Sequence, residues 1–149
     1  MSGTAPFCIR PAASVDSRLI KETIQRAGLD RTGLDWRNFK IAEDEGGAMA
    51  GICQVRRYGK VRELGSLYVR PDLRGQGIAG ALIRACLANQ EPPVHLECVE
   101  DRQSLYEGHG FQRIPLWRAP LGLRFKSLLG TTAAWLLYRK RVIVMVWTG

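Results

Sequence analysis

The sequence predicts a mixed α/β fold in a single domain, and three observations support this prediction. Short β-rich runs alternate with amphipathic segments, which is the order expected of a sheet covered by helices. A chain of 149 residues, 46% of them hydrophobic, is long enough to bury a core of its own. A glycine-rich stretch at 75–80 joins a predicted strand to a predicted helix, as ligand sites of α/β proteins often do.

The first third of the chain predicts a strand, a helix and a hairpin. Phe7–Pro11 is typical of an edge strand that ends at proline, and Val15–Ala27 has apolar residues at helical spacing. Residues 33–39 predict a short helix or turn. The hairpin strands, Phe39–Ala42 and Ala48–Val55, are joined by an acidic turn that contains two glycines.

The remainder predicts four more strands and two more helices. A β-branched apolar run near the C-terminus is typical of a buried closing strand. We therefore expect a mixed, largely antiparallel sheet in one layer with helices on both faces. The predicted strands are Val61–Val69, Val94–Val99, one that starts at Gly110–Phe111, and Val142–Trp147, and the predicted helices are 78–89 and Arg102–Gly108.

Charge and composition narrow the class of function. The formal net charge is +8, from 22 Lys and Arg against 14 Asp and Glu, which suits an anionic ligand. The basic residues are scattered, and neither a groove-reading helix nor an aromatic RNA-binding platform is recognisable, so we expect no dedicated nucleic-acid binding. The sequence shows no signal-peptide pattern and no run of about 20 apolar residues, so a cytoplasmic location is the expectation.

The cysteines and histidines predict neither a metal site nor a nucleophile. Cys8, Cys53, Cys86 and Cys98 lie too far apart in sequence for zinc motifs or redox dithiols, and we expect them to be buried thiols. His95 and Glu97 share one face of a predicted strand, but two ligands without a third do not make a metal site. Ser66 has no base beside it in sequence.

The glycine-rich stretch predicts a phosphate site. Gly75, Gly77 and Gly80 have no Cβ to keep a ligand from the backbone, and the following helix begins with unpaired N–H groups and the positive end of its dipole. The spacing also satisfies the dinucleotide motif G-x-G-x-x-G, with Glu100 about 20 residues on. That alternative is disfavoured because 70–74 separate the strand from the glycines. A Walker loop is excluded, since no Lys-Ser or Lys-Thr follows.

Two motifs together suggest a family. Arg74, Gly77 and Ala79 fit the pattern Gln/Arg-x-x-Gly-x-Gly/Ala, preceded by a V-x-P-x-x-R-G strand exit. About 30 residues later, Leu105–Phe111 looks like the motif L-Y-E-x-x-G-F. In this order, with these predicted elements between them, the motifs resemble the GNAT superfamily of acyl-CoA-dependent N-acyltransferases. The resemblance covers about residues 7 to 115 and resumes at the final strand.

The resemblance implies a binding site for acetyl-CoA and no metal. The strand before the glycine loop would splay from its neighbour, so that its backbone groups pair with the pantetheine arm. The pyrophosphate would lie on backbone N–H groups of the loop, which agrees with the phosphate site predicted from the residues alone. The implied cofactor-binding residues are Leu67, Tyr68, Val69, Arg74, Gly75, Gln76, Gly77, Ile78, Ala79 and Gly80.

Two residues are candidates for the chemistry. Tyr106 holds the family's tyrosine position and would act as the general acid for the departing thiolate, although it could instead only pack against the cofactor. Glu63 lies six residues before Val69, so a period of two places both on one face, where the family often has a carboxylate base. The alternative is a solvated charge. The sequence departs from the family at Val99, where many members have asparagine.

The acceptor is the least defined part of the prediction. The resemblance implies direct attack by a primary amine in a ternary complex, with a small-molecule amine ahead of a protein Lys or N-terminal amine. A non-catalytic acyl-CoA-binding regulator and a polyanion-binding module stay as alternatives. Trp36, with the charged residues beside it, suits an acceptor-site wall or a core anchor.

An apparent insertion at 116–140 separates the last two predicted strands. It contains apolar residues at helical spacing and a basic cluster. We expect a helix that acts as a lid or as a homodimer contact. Membrane-surface contact through 121–141 is disfavoured because Gly130 and two threonines interrupt the amphipathic face.

Overall fold

The computed structural model describes residues 6–124 and 139–149. Within them the chain forms seven strands and three α-helices, which confirms the predicted mixed α/β class. The strands are β1 (Phe7–Pro11), β2 (Phe39–Asp44), β3 (Met49–Tyr58), β4 (Val61–Val69), β5 (Val94–Val99), β6 (Phe111–Ile114) and β7 (Val142–Trp147). The helices are α1 (Ser17–Arg26), α2 (Ile78–Leu87) and α3 (Gln103–Glu107).

The described part of the first compact unit spans 6–56 and Leu64–Gln90. Its strands follow the order β1-β2-β3-β4, and β2 runs antiparallel to both β1 and β3. Helices lie on both faces, as predicted: Ile52 packs in one buried cluster with Ile20 and Ile24 of α1, whereas the neighbouring Gly51 faces α2. Consecutive strand residues point to opposite faces, so α1 and α2 cover opposite sides.

Gly51 permits a close approach between β3, β4 and α2. A Cβ at this position would lie 2.7 Å from the backbone oxygen of Tyr68 and 3.0 Å from Cδ1 of Leu82. Because the first of these atoms belongs to a backbone, it cannot turn aside as the end of a flexible side chain would. The absence of a side chain at Gly51 therefore helps to set where α2 begins relative to the end of β4.

We expect Gly51→Ala to lower the free energy of unfolding by about 1–3 kcal/mol, since the added methyl overpacks this contact. Chemical denaturation measures the change. Gly46→Ala is the matched control, because its Cβ would meet nothing closer than Oδ1 of Asp44 at 3.4 Å. We expect that control to change stability by less than about 0.5 kcal/mol. Equal losses in the two variants would contradict the role assigned to Gly51.

Strand β4 is interrupted by a bulge. Ser66 has a φ of +55°, which is unusual for a residue other than glycine. Ser66 Oγ accepts a hydrogen bond from Nε2 of Gln54 at 2.8 Å, while a Cβ at Gly65 would meet the guanidinium of Arg56. Gln54 and Arg56 lie two apart on β3 and share a face. The adjacent positions 65 and 66 therefore face the same side, and the expected alternation from Glu63 to Val69 is wrong.

The described part of the second compact unit spans Arg57–Glu63, 91–124 and 139–149. Its strand order is β4-β5-β7-β6. The first residues of β4 run parallel to β5, with Glu63 opposite His95, whereas β7 is antiparallel to both β5 and β6. On one face Tyr106 of α3 packs on Phe111, and on the other Val144 packs in a small buried cluster with Ala119 and Leu123.

Several predicted bounds agree with the structure and others move. The four strands β1, β4, β5 and β7 have the predicted ends, but β3 continues to Tyr58 and α2 stops at Leu87. In the predicted insertion, 116–118 form a short 3-10 turn and 121–124 are helical. The residues of that prediction from Phe125 to Tyr138 lie outside the described residues. In the described part of the chain, none of the helices has both the length and the apolarity to cross a membrane.

The prediction that all four thiols are buried is wrong for Cys8, and Cys98 is less buried than predicted. Cys8 is exposed because it lies on the edge strand β1, and Cys98 is only half-buried. Cys53 and Cys86 are buried. A hydrogen bond with Cys86 and then burial raise the pKa of the Cys53 thiol well above its usual value, and burial raises that of Cys98 to about 11. Neither of these two thiols is a thiolate near neutral pH.

Candidate functional site

The glycine loop links β4 to α2 in the first unit. After a 3-10 turn at Pro71–Leu73, the residues from Arg74 to Gly77 are exposed. Gly75 and Gly77 have φ values of +79° and +84°, in the left-handed region that favours glycine. A Cβ at either position would meet no atom within 4 Å. The glycines are thus required by the backbone path, and the space beside them is open to a ligand.

The N-terminus of α2 provides the anion-binding groups. Gly77 is the N-cap residue, and no side chain caps the helix there. The Ala81 N–H donates to the Gly77 carbonyl at 3.1 Å, so the earlier N–H groups of the first turn have no acceptor within the helix. Buried Ile78 and Leu82 hold the helix in the core. The loop and this helix end fit a phosphate group that is bound by backbone.

Two arginines hold the loop to its surroundings. Arg74 Nε donates to the Val69 carbonyl at 3.1 Å, so the side chain predicted to bind the ligand also closes the strand exit. Arg70 pairs with Asp44 at 2.9 Å and with Asp72 at 2.8 Å. The Ala48 N–H and then the Arg70 guanidinium lower the pKa of the Asp44 carboxyl. Sequence reasoning missed Arg70 because its partner Asp44 belongs to a different hairpin.

The end of β4 presents the predicted pantetheine-binding residues. Leu67 and Tyr68 are half-buried, and Val69 is buried. Tyr68 packs against the cluster that contains Ile52, and the Arg70 N–H donates to the Ala50 carbonyl at 2.8 Å. The bulge at Gly65–Ser66 lies directly before these residues. Leu67 to Gly80 therefore lie together in one unit, on a strand end, a loop and a helix start.

Glu63 is placed in the second unit beside a buried imidazole. Glu63 is 2% exposed and its parallel register partner His95 is 8% exposed. The alternative of a solvated surface charge at Glu63 is therefore wrong. Burial lowers the pKa of His95 below its usual 6.5, and the Glu63 charge opposes this shift in part. Sequence reasoning did not pair these residues because β5 follows β4 only after a helix.

Tyr106 lies in α3 of the second unit and is 8% exposed. Its ring packs edge-on against Phe111, with 5.9 Å between centroids and 75° between planes. Gly110 has a φ of +86°, which explains the glycine of the second motif as the turn into β6. In the described residues, His, Cys, Asp and Glu form no group of three or more that could hold a metal.

The loop and the second motif fall within a single family match. The family described as acetyltransferase (GNAT) domain matches residues 35–113, which is more than half of the chain. The chain belongs to the GNAT acetyltransferase family. The match includes both glycine positions of the loop, Glu63, His95 and Tyr106, so the predicted resemblance is confirmed. No curated protein sequence matches this GNAT chain significantly.

Solved structures confirm the GNAT fold. Rv2747 from Mycobacterium tuberculosis, in complex with CoA and NLQ, has a TM-score of 0.70 at 19% identity and covers 94% of this chain and 98% of its own. A GNAT acetyltransferase from Staphylococcus aureus Mu50 has a TM-score of 0.66 at 15% identity, with 95% and 98% covered. N-acetylglutamate synthase from Neisseria gonorrhoeae, complexed with coenzyme A and N-acetyl-glutamate, has a TM-score of 0.68 at 17% identity. The match covers 95% of this chain and 35% of the synthase.

Proposed function

We propose that the protein transfers an acetyl group from acetyl-CoA to a primary amine by direct attack in a ternary complex. The observation that supports this most strongly is the glycine loop at the start of α2 in a chain of the GNAT family. Left-handed Gly75 and Gly77 leave backbone N–H groups accessible beside open space. Acetyl-CoA would supply the activated acyl group as a thioester, and this chain would bind and orient it.

The proposed acetyl-CoA-binding residues form two groups, one for the pyrophosphate and one for the pantetheine arm. The N–H groups from Gly75 to Gly80 suit the pyrophosphate, because a helix N-terminus favours negative charge. The backbone of Leu67 to Val69 suits the pantetheine amides. These pantetheine-binding residues follow, along β4, the point where Glu63 pairs in parallel with His95 of β5. Arg74 keeps the loop at the strand exit through the Val69 carbonyl.

Glu63 is the proposed general base. An amine must lose a proton as it forms the new C–N bond, and a carboxylate within reach of that proton, directly or through one water, can accept it. Glu63 is buried on a strand, and a rigid strand places a functional group more precisely than a loop does. The N–H groups around Val69 are proposed to stabilise the oxyanion.

Tyr106 is the proposed general acid, which would hold a proton on its phenolic oxygen for the departing thiolate. We expect Tyr106→Phe to lower kcat about 10- to 100-fold, because the acid is lost while the ring still packs on Phe111. The Kd of acetyl-CoA should change little. Single-turnover and equilibrium binding measurements separate these effects. Tyr58→Phe, at the exposed end of β3, is the control, and unchanged turnover in Tyr106→Phe would remove the acid from the mechanism.

A small-molecule amine is the proposed acceptor. One structure with this fold is described with coenzyme A and N-acetyl-glutamate, a small molecule, and its low identity to this chain leaves the amine open. The test is release of free CoA from acetyl-CoA across a panel of small amines and peptides. We expect turnover with a small amine. Saturable acetyl-CoA binding with no CoA release for any amine would instead support a non-catalytic regulator.

The proposed location is the cytoplasm, where acetyl-CoA is present. Homodimer formation and the lid role of 116–140 stay predictions.

A further inference from the structure

We propose that His95 is a positioning residue that works through Glu63 and receives the proton which the acceptor amine releases. This inference rests on the proposed function, because it needs Glu63 to be the base. His95 would be a second proton-accepting residue beside Glu63, and it belongs neither to the family motifs nor to the glycine loop. The two residues together would form a buried carboxylate–imidazole pair across adjacent strands.

The backbone places the two side chains on one face. Glu63 of β4 and His95 of β5 are register partners in a parallel pair. Residues opposite each other on neighbouring strands, which lie about 4.8 Å apart, extend to the same side of the sheet. Both residues are more than nine-tenths buried. The Glu63 charge acts across this pair and favours the charged imidazole.

His95 also has an unused hydrogen-bonding atom. Its Nδ1 is buried and has no hydrogen-bond partner within residues 6–124 and 139–149. A buried polar atom left without a partner costs about 1–3 kcal/mol, so an apolar residue would be the more stable choice at this strand position. The presence of an imidazole here is explained if the nitrogen takes up and releases a proton during turnover.

Burial and the Glu63 charge act in opposite directions on the charge state of His95, and burial has the larger effect. On β5, Glu97 is the next residue on the same face, and on β7 the register partner is the apolar Val146. On β4, the adjacent Arg62 alternates to the other face and pairs with Glu91 at 3.4 Å. Burial keeps His95 neutral near pH 7, because it lowers the pKa of the imidazole below 6.5. The neutral ring can accept a proton.

The proton balance is simple. The amine nitrogen forms a bond to the acyl carbon, the C–S bond breaks, and the thiolate takes the proton of Tyr106. The proton released by the amine passes to the Glu63 carboxylate and then to the His95 imidazole. Glu63 thereby returns to its charged form, His95 gives the proton to solvent, and Tyr106 takes a proton from solvent, which restores the starting state. No oxidant, reductant or metal is needed.

The first test is the pH dependence of kcat/KM for acetyl transfer in wild type and in His95→Gln. His109→Gln, which removes the other histidine of the chain, is the control. If turnover needs both Glu63 charged and His95 neutral, the acidic limb follows the higher pKa of the pair. Removal of His95 then leaves a carboxylate alone, and the limb moves to lower pH by at least about 0.5 unit. We expect the plateau to fall about tenfold. His109→Gln should keep the wild-type limb.

A second test does not depend on activity. The chain has only 2 histidines, so NMR titration of the ring resonances, assigned with His109→Gln, follows His95 directly. In Glu63→Gln we expect the pKa of His95 to fall further, because the carboxylate charge that favours the imidazolium is lost.

The outcomes separate the inference from the proposed function. The inference would be overturned if the acidic limb stayed in place or moved to higher pH in His95→Gln. It would also be overturned if Glu63→Gln left the titration of His95 unchanged. In either case, turnover by the wild-type protein would leave the proposed function intact. Wild-type protein that transfers acetyl groups to no amine would overturn both. Thermal unfolding of each variant shows whether it is folded. If His95→Gln lowers the plateau of kcat/KM without shifting the acidic limb, His95 has only a structural role, and this result contradicts the relay.

Discussion

Glu63→Gln is expected to lower kcat/KM for acetyl transfer about 100- to 1,000-fold near neutral pH. The amide has nearly the volume of the carboxylate, so the buried position stays filled, but it cannot accept a proton. Steady-state kinetics on a small amine, with CoA release as the signal, measures the effect. The Kd of acetyl-CoA should stay within about twofold, because the proposed donor contacts belong to the loop and to backbone.

The pH profile gives a second check on Glu63. In Glu63→Gln, the limb of kcat/KM that reports ionisation of the carboxylate should disappear, so that the only rise of the rate with pH is the one set by the pKa of the free acceptor amine. Glu91→Gln is the matched control, since it removes one exposed carboxylate that pairs with Arg62. We expect it to change kcat/KM less than about twofold. A limb that keeps its wild-type position in Glu63→Gln, below the pKa of the free amine, would assign the base elsewhere.

Gly77→Ala is expected to weaken acetyl-CoA binding about tenfold. Gly77 has a φ of +84°, and an alanine in this left-handed conformation is disfavoured by about 1–2 kcal/mol. The loop of the variant should therefore shift to other conformations, which do not present the helix N–H groups to the ligand. The new methyl would also occupy the open space beside the backbone. Isothermal titration calorimetry with CoA measures the loss. Since the effect acts on donor binding, KM for acetyl-CoA should rise more than kcat falls.

Gly47→Ala is the matched control for this strain. Gly47 has a φ of +78° in the β2–β3 turn, and a Cβ there would also meet no atom within 4 Å. Both variants should therefore lose a similar free energy of unfolding, about 1–2 kcal/mol, while only Gly77→Ala weakens CoA binding. Equal CoA affinity in the two variants would show that the loop glycine serves only the turn.

Local patterns predicted the parts of the protein that local physics determines. The ends of β4 and β5 follow from β-branched and apolar runs bounded by turn residues, and the left-handed glycines follow from their place between a strand and a helix. The alternation along β4 was predicted wrongly because the bulge at Ser66 depends on Gln54 and Arg56 of the neighbouring strand. The spacing of residues within one strand does not show which side chains of the neighbouring strand they will meet.

The candidate site divides in the same way. The loop is continuous in sequence, so its phosphate-binding character could be predicted from its residues. The pairing of Glu63 with His95 requires the parallel register of strands 32 residues apart, and the role of Arg70 requires the position of Asp44 on another hairpin. Such contacts follow from the topology of the sheet, which no spacing rule within a motif specifies.

The bulge in β4 has a consequence for how related chains are aligned. Because Gly65 and Ser66 face the same side, β4 has one residue more than a regular strand of the same span. A relative without the bulge and with one residue fewer between the equivalents of Glu63 and Tyr68 would keep both side chains on the face that they share here, because a regular strand returns to one face every second residue. A relative without the bulge but with the same number of residues would instead turn the glutamate to the opposite face. For this segment, a one-residue gap in an alignment should therefore be taken as loss of the bulge, and an ungapped match without the bulge as a change of face.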